Sequence, residues 1–339
     1  MLFQNVTIES IGYELAPHRI SSEWLEDQID ETMQRLHIPR GRIEDLTGIR
    51  ERRFWNRGTM PSDVATLAAR RAIELAGVDP ARIGTIISTS VCRDYIEPSV
   101  ACLVHGNLKL PASCMNYDVS NACLGFLNGM VHAAMMIEAG IIEYALIVDG
   151  EGSQEAVMAT IRRLQSPTTT SQEFRENFAT LTLGSGAVAM VLAHQRHSQT
   201  GHRINGVVTL AATEHNRLCY GQPEWMRTDA AALLIAGVQL AARTWQLAHA
   251  TLPRWSDDAI ALYAPHQVSA RHTAAVAESM GVPLDKMFLN FPTLGNIGPA
   301  ALPITLAQAV EAGRVRHGDT IGLLGIGSGL NCSMMSVTW

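Results

Sequence analysis

Apolar and polar positions along the chain follow an order that occurs twice. Residues 6–11 form a β-like run, 63–76 carry apolar residues at helical spacing, and 83–89 read as an apolar strand. A helix rich in small residues is predicted over 123–139 and another strand over 145–148. The second half repeats the series, with a run at 207–212, a helix at 230–248, a strand at 259–264, a helix at 297–312 and a strand at 320–325. The punctuation recurs too. The later helix of each half ends in Glu-Ala-Gly, at Glu138-Ala139-Gly140 and Glu311-Ala312-Gly313, where glycine suits a left-handed cap. A Gly-Ser-Gly precedes each final β-like run, at Gly184-Ser185-Gly186 and Gly327-Ser328-Gly329.

Strands alternating with helices predict βαβ units, mainly parallel sheets and long apolar helices buried between layers. Duplication of the unit divides the chain into halves, 1–200 and 201–339, without a linker between them. Residues 154–178, with Ser-Pro-Thr-Thr-Thr-Ser and mixed charge, break the pattern and read as an insertion, a lid or channel wall.

The chain has 339 residues, 47% of them hydrophobic and 17% charged, enough for one large core or two fused ones. A net charge of -6 gives no overall footprint for nucleic acid or an anionic membrane, so a phosphate-bearing partner must be held locally. Neither a membrane-length apolar segment nor a signal peptide is apparent, and a cytoplasmic location is the expectation. The six cysteines show no C-x-x-C pair and no zinc-finger histidine spacing, so neither disulfides nor a metal site is expected.

Five positions are candidates for chemistry. Cys123 sits in Asp118-Val119-Ser120-Asn121-Ala122-Cys123-Leu124-Gly125, where a β-like run gives way to a helix. Unpaired N–H groups and the helix dipole there favour a thiolate, and a packed core cysteine is the competing reading. His266 follows the strand at 259–264, at the strand edge where α/β folds place their sites; a structural histidine is the alternative. Asn296 opens the helix that the repeat pairs with the one at Cys123, so pseudo-twofold symmetry brings Cys123, His266 and Asn296 together, although asparagine is also a good N-cap. Glu97 follows its strand much as His266 does and can serve as a base, or simply be a solvated loop residue. Gly325-Ile326-Gly327-Ser328-Gly329 is not followed by a helix, which argues against dinucleotide binding. Its Ser328 N–H can instead join that of Cys123 as an oxyanion hole.

These segments, together with Thr47-Gly48-Ile49-Arg50-Glu51-Arg52-Arg53, Pro265-His266-Gln267 and Gly295-Asn296, resemble the thiolase superfamily and its ketoacyl synthase III-like branch over the whole chain. Arg93-Asp94-Tyr95-Ile96-Glu97-Pro98-Ser99 and Gly295-Asn296-Ile297-Gly298-Pro299-Ala300 are most similar to the enzymes that join two fatty acyl-CoAs head to head in bacterial long-chain olefin biosynthesis. The resemblance implies a thiolase fold, duplicated βαβ halves in a five-layer αβαβα arrangement, and a homodimer. It implies a non-decarboxylative Claisen condensation yielding a 2-alkyl-3-keto acid, with no cofactor beyond the CoA thioester substrates. Cys123 would carry the first acyl group, His266 and Asn296 would stabilise the enolate or carbonyl oxygen, and Glu97 would be the base supplied by the partner subunit. Some relatives clamp the CoA adenine with a Trp and an Arg where this chain has Arg42 and Leu46, so the CoA grip is left unassigned. Leu127 and Met130 read either as channel walls or as core. A decarboxylating ketoacyl synthase III and a non-catalytic partner subunit are the alternative readings.

Overall fold

The computed structural model describes all 339 residues. The chain opens with β1 (Val6–Leu15), β2 (His18–Ser21), the short helices α1 (Ser22–Gln28), α2 (Asp30–Arg35) and α3 (Arg42–Thr47), and β3 (Glu51–Phe54). Then come α4 (Pro61–Ala76), β4 (Ile83–Ser88), α5 (Val100–Leu108), β5 (Met115–Asp118), α6 (Gly125–Glu138) and β6 (Tyr144–Glu151). Helices α7 (Gln154–Leu164) and α8 (Ser171–Asn177) precede β7 (Gly186–His194). The second half comprises β8 (His202–Ala211), a hairpin of β9 (Cys219–Gln222) and β10 (Trp225–Thr228), α9 (Ala230–Thr251) and β11 (Ile260–Pro265). It ends with α10 (Ala270–Met280), α11 (Phe291–Leu294), α12 (Ala301–Glu311), β12 (Thr320–Gly327) and β13 (Asn331–Thr338). No helix is long and apolar enough to cross a membrane.

Strand order carries the duplication. The first half runs β5-β4-β6-β7-β1 and the second β11-β12-β13-β8. In both, the first pairing after β4 or β11 is parallel and the next two are antiparallel. The counterpart of β5 is reduced to one parallel bridge between Tyr263 and Met287. The halves meet through β1 and β8 at only two residue pairs, Thr7 with Arg203 and Ile8 with His202. The boundary expected after residue 200 falls in the turn between β7 and β8.

The expectation of mainly parallel sheets is corrected: five of the eight ladders of the nine-stranded sheet are antiparallel. In the second half β13 returns directly from β12 through the turn at 328–330, and a direct return forces antiparallel pairing; in the first half α7 and α8 stand between β6 and β7, which pair antiparallel all the same. The region 154–178 is also more regular than expected. It folds as α7 and α8, whose Val157, Ile161 and Phe174 form a separate core with Leu25, Ile29 and Phe54.

Burial defines the layers. α4 and α5 cover one face of the first half through Val64, Ala65, Ala68, Ala72 and Val104. α9 and α10 cover the second through Leu240, Trp245 and Met280. α6 and α12 lie between, their Phe126, Met130, Ile137, Ile304 and Leu306 sharing one central core with strands of both halves. The result is the αβαβα stack. α6 begins at Gly125 rather than at Cys123, which places the cysteine on the turn ahead of it.

Candidate active site

The turn between β5 and α6 is built to expose backbone. Ala122 takes a left-handed φ of 45°, an unusual conformation for a residue with a Cβ. The N–H groups of Leu124 and Gly125 donate to the carbonyls of Asn121 and Ala122, both at 3.0 Å. The N–H of Cys123 donates to nothing in the chain, nor does that of Ser328. The loop bearing Ser328 approaches closely because Gly327 has no side chain: a Cβ there would lie 3.4 Å from the Cys123 nitrogen and 3.2 Å from that of Leu124. Asn121 is held by Asn128 at 2.7 Å and Asn331 at 3.5 Å, locking turn and loop together.

Cys123, His266, Asn296 and Ser328 all line one chamber of about 2610 Å³. His266 directly follows β11, its N–H donating to the Leu324 carbonyl at 2.7 Å, and only 3% of its surface is exposed. Asn296 is fixed by backbone bonds from its N–H to the Thr182 carbonyl and from Gly184 N–H to its own carbonyl, both 2.9 Å. Its side-chain oxygen accepts from Gly298 N–H at 3.1 Å, whereas its NH₂ donates to no group in the chain. Asn296 is therefore not the cap of α12, whose N-cap is Ala300.

Electrostatics departs from expectation at the sulfur. Burial pushes the Cys123 thiol up to about 12, with Cys219, Glu151 and Asp149 adding to the effect. The predicted dipole assistance is outweighed because the cysteine lies ahead of the helix with its sulfur crowded by protein, so desolvation dominates. Burial also pulls His266 down to about 3, with His272 contributing and Gly298 opposing, so its imidazole is neutral.

Two chamber residues escaped sequence reasoning. Glu151, at the end of β6, is 5% exposed and accepts from the N–H groups of Val91 at 2.6 Å and Cys92 at 3.4 Å. Burial raises its carboxyl to about 7. The signal was present: Asp149 and Glu151 close an otherwise apolar, wholly buried strand, where acidic residues are rare without a task. His272, near the start of α10, also lines the chamber and had no motif to mark it.

Other expectations divide. Glu97 is exposed on the loop between β4 and α5 and does not line the chamber of its own chain. Its neighbours Ile96 and Tyr95 are 94% and 57% exposed, a conspicuous apolar surface. Leu127 and Met130 are buried in the central core and are not chamber walls. The 154–178 segment does form wall, through Met158, Phe174 and Arg162 among others, and Arg42 and Leu46 line the same space.

Comparison with known proteins gives two family matches. Residues 117–211 match the 3-oxoacyl-[acyl-carrier-protein (ACP)] synthase III model and residues 252–339 match its C-terminal model. The chain is 46% identical to an acyl-CoA:acyl-CoA alkyltransferase of Xanthomonas campestris pv. campestris, with all of both chains covered. It is 40% identical, again over all of both chains, to a protein of the same name in Shewanella oneidensis. A crystal structure of Xanthomonas campestris OleA with bound lauric acid and lauroyl-CoA superposes over all of both chains with a TM-score of 0.97 at 45% identity.

Proposed function

As the chain belongs to the 3-oxoacyl-[acyl-carrier-protein] synthase III family of the thiolase superfamily, we propose that it condenses two fatty acyl-CoAs head to head without decarboxylation, releasing a 2-alkyl-3-keto acid. The observation that carries this reading is the convergence of Cys123, His266 and Asn296 on one chamber, in a chain 46% identical from end to end to an acyl-CoA:acyl-CoA alkyltransferase.

The chemistry follows from the groups present. The Cys123 sulfur attacks the first thioester, and the tetrahedral oxyanion is met by the free N–H groups of Cys123 and Ser328. CoA leaves with the proton and Cys123 holds the acyl group. Glu97, supplied by a second copy of the chain, removes an α-proton from one acyl group; the carbanion attacks the carbonyl of the other, expelling a thiolate. His266 and the Asn296 NH₂ donate to the oxygen on which charge develops. Water then hydrolyses the β-keto thioester. No step calls for a redox cofactor or a metal. The arginines facing the chamber, among them Arg42, Arg162 and Arg271, are suited to the phosphates of CoA. The exposure of Ile96 and Tyr95 beside Glu97 supports a homodimer that buries this loop. A cytoplasmic enzyme feeding long-chain olefin formation is the setting this activity suits.

Incubating the purified protein with myristoyl-CoA alone is expected to release free CoA and a β-keto acid that decarboxylates to a ketone. Product that forms only when a malonyl donor is added would instead identify a decarboxylating ketoacyl synthase, and no acyl adduct on Cys123 by mass spectrometry would leave a non-catalytic subunit.

A further inference from the structure

The reaction uses no side chain of residues 47–53, although this stretch carries part of the family resemblance. It wraps the segment that ends in Asn296. Gly48 lies against Phe291, where a Cβ would come within 3.1 Å of the ring, and the N–H of Arg50 donates to the Pro292 carbonyl at 2.9 Å. Gly295 backs onto Arg52 so closely that a Cβ on the glycine would stand 3.0 Å from that of the arginine. On the other side, the Ser185 N–H donates to the Arg53 carbonyl at 2.9 Å. Residues 181–185 therefore run between β3 and Asn296. They hold Asn296 through the Thr182 carbonyl and the Gly184 N–H.

Arg52 is the centre of this grip. Its side chain is wholly buried and forms no ion pair, whereas charged side chains are almost never fully buried unless paired. The guanidinium spans three acceptors instead. Nη1 donates to Ser22 Oγ at 3.0 Å and to the Ile20 carbonyl at 3.3 Å, and Nη2 donates to the Leu181 carbonyl at 3.0 Å. The Ser22 hydroxyl passes the restraint on by donating to the Ile49 carbonyl at 2.5 Å. Burial pulls the guanidinium down to about 10, with Glu51 opposing, so it keeps its charge at neutral pH. An apolar side chain of similar volume would fill the space at no loss of stability, so stability alone does not call for an arginine.

We propose that Arg52 is a positioning residue for the condensation: its planar fork fixes the Leu181 carbonyl, and with it the 182–184 segment that seats Asn296, so that the amide is aimed at the oxygen on which charge develops. The inference rests on the role proposed for Asn296. That role begins only after Cys123 has been acylated, because the oxyanion of acyl transfer is met by the N–H groups of Cys123 and Ser328. The two half-reactions therefore separate positioning from a general effect on the fold.

Arg52→Met keeps most of the volume and removes the fork. It should lower kcat for condensation about ten- to a hundredfold, as misplacing a catalytic group by ~1 Å does, while Cys123 takes up the acyl group of myristoyl-CoA at the wild-type rate. Hydrogen exchange read by mass spectrometry should be faster than wild type at 291–296 and unchanged over α6. Arg52→Lys keeps the charge but cannot reach acceptors on both sides at once, so it should resemble Arg52→Met. Ser22→Ala, a milder change that removes one acceptor, should shift kcat and exchange in the same direction by less. The inference is overturned by an Arg52→Met protein with wild-type exchange at 291–296, by one that loses acylation and condensation in equal measure, or by full condensation activity in Arg52→Lys. Should Arg52→Met fail to fold, wild-type kcat and exchange in Ser22→Ala would overturn it. If wild-type protein makes no β-keto product, the condensation reading falls, while exchange at 291–296 still decides what Arg52 holds.

Discussion

At the scale of single residues, burial sets the chemistry of the chamber. A thiol held near 12 is neutral throughout the physiological range, and its thiolate fraction rises about tenfold per pH unit below that value. Alkylation of Cys123 by iodoacetamide, followed by mass spectrometry, should therefore keep accelerating between about pH 7 and pH 9. A plateau near neutrality would mean a thiolate already formed in the resting protein. With His266 near 3, the imidazole is a weak proton acceptor and stays neutral, so it can donate a hydrogen bond as a neutral N–H, which suits the role assigned to it. Glu151 is the residue whose burial affects stability with the opposite sign from a paired carboxylate. The folded protein keeps this proton up to about pH 7, whereas the unfolded chain loses it near 4.5. Between those values the native state binds more protons, so this group lowers stability as pH rises. Glu151→Gln removes that dependence, and the variant's Tm should gain on wild type from about pH 5 to pH 8. Parallel Tm curves would show that Glu151 is ionised at little cost.

At the scale of elements, the placement of Asn296 depends on a glycine. Gly184 opens the approach to β7, and a Cβ on it would land on the carbonyl oxygen of Leu294 and 3.1 Å from Ile297. Leu183 bridges to Asn296 on the same stretch, so any side chain at 184 pushes directly on the segment that presents the amide. Gly184→Ala should destabilise the fold by about 1–3 kcal/mol, read from urea unfolding, and lower kcat more than a remote glycine change of equal cost. A loss under about 0.5 kcal/mol would show that the segment yields freely. The elements flanking this site were largely legible in the sequence, because β4, β6, β11 and β12 are buried almost throughout and are mostly apolar, whereas β5, Met-Asn-Tyr-Asp, is partly exposed. Cys123 and His266 were legible because they stand just past β-like runs, and Asn296 because it precedes the helix that the repeat pairs with α6, although α12 itself is capped by Ala300. Strand direction was not, since apolarity carries no sense of direction. The helix α8 was missed although Thr170 and Glu173 form a capping box with bonds of 2.8 and 3.1 Å, a signature written in the sequence as Thr-x-x-Glu. Glu151 was passed over although two acidic residues closing an apolar strand mark it, and His272 carried no motif at all.

At the scale of the molecule, two halves joined by the short β1–β8 ladder and isolated bridges share a single central core, and the chamber draws its sulfur from one half and its imidazole and amide from the other. Glu97 does not line the chamber of its own chain, although Tyr95 and Ile96 on the same loop do, and under the proposed mechanism a second copy brings it in. Cys123→Ala keeps Glu97 and loses the nucleophile, and Glu97→Ala does the reverse. Each variant alone should be inactive. Unfolding or dissociating and remixing equal amounts makes half of the dimers mixed, and in each mixed dimer one of the two sites has both groups, so about a quarter of wild-type activity should return. If Glu97 instead served the chamber of its own chain, no mixed dimer would contain a complete site and the mixture would stay silent, whereas a Glu97→Ala protein active without any partner would remove this carboxylate from the reaction.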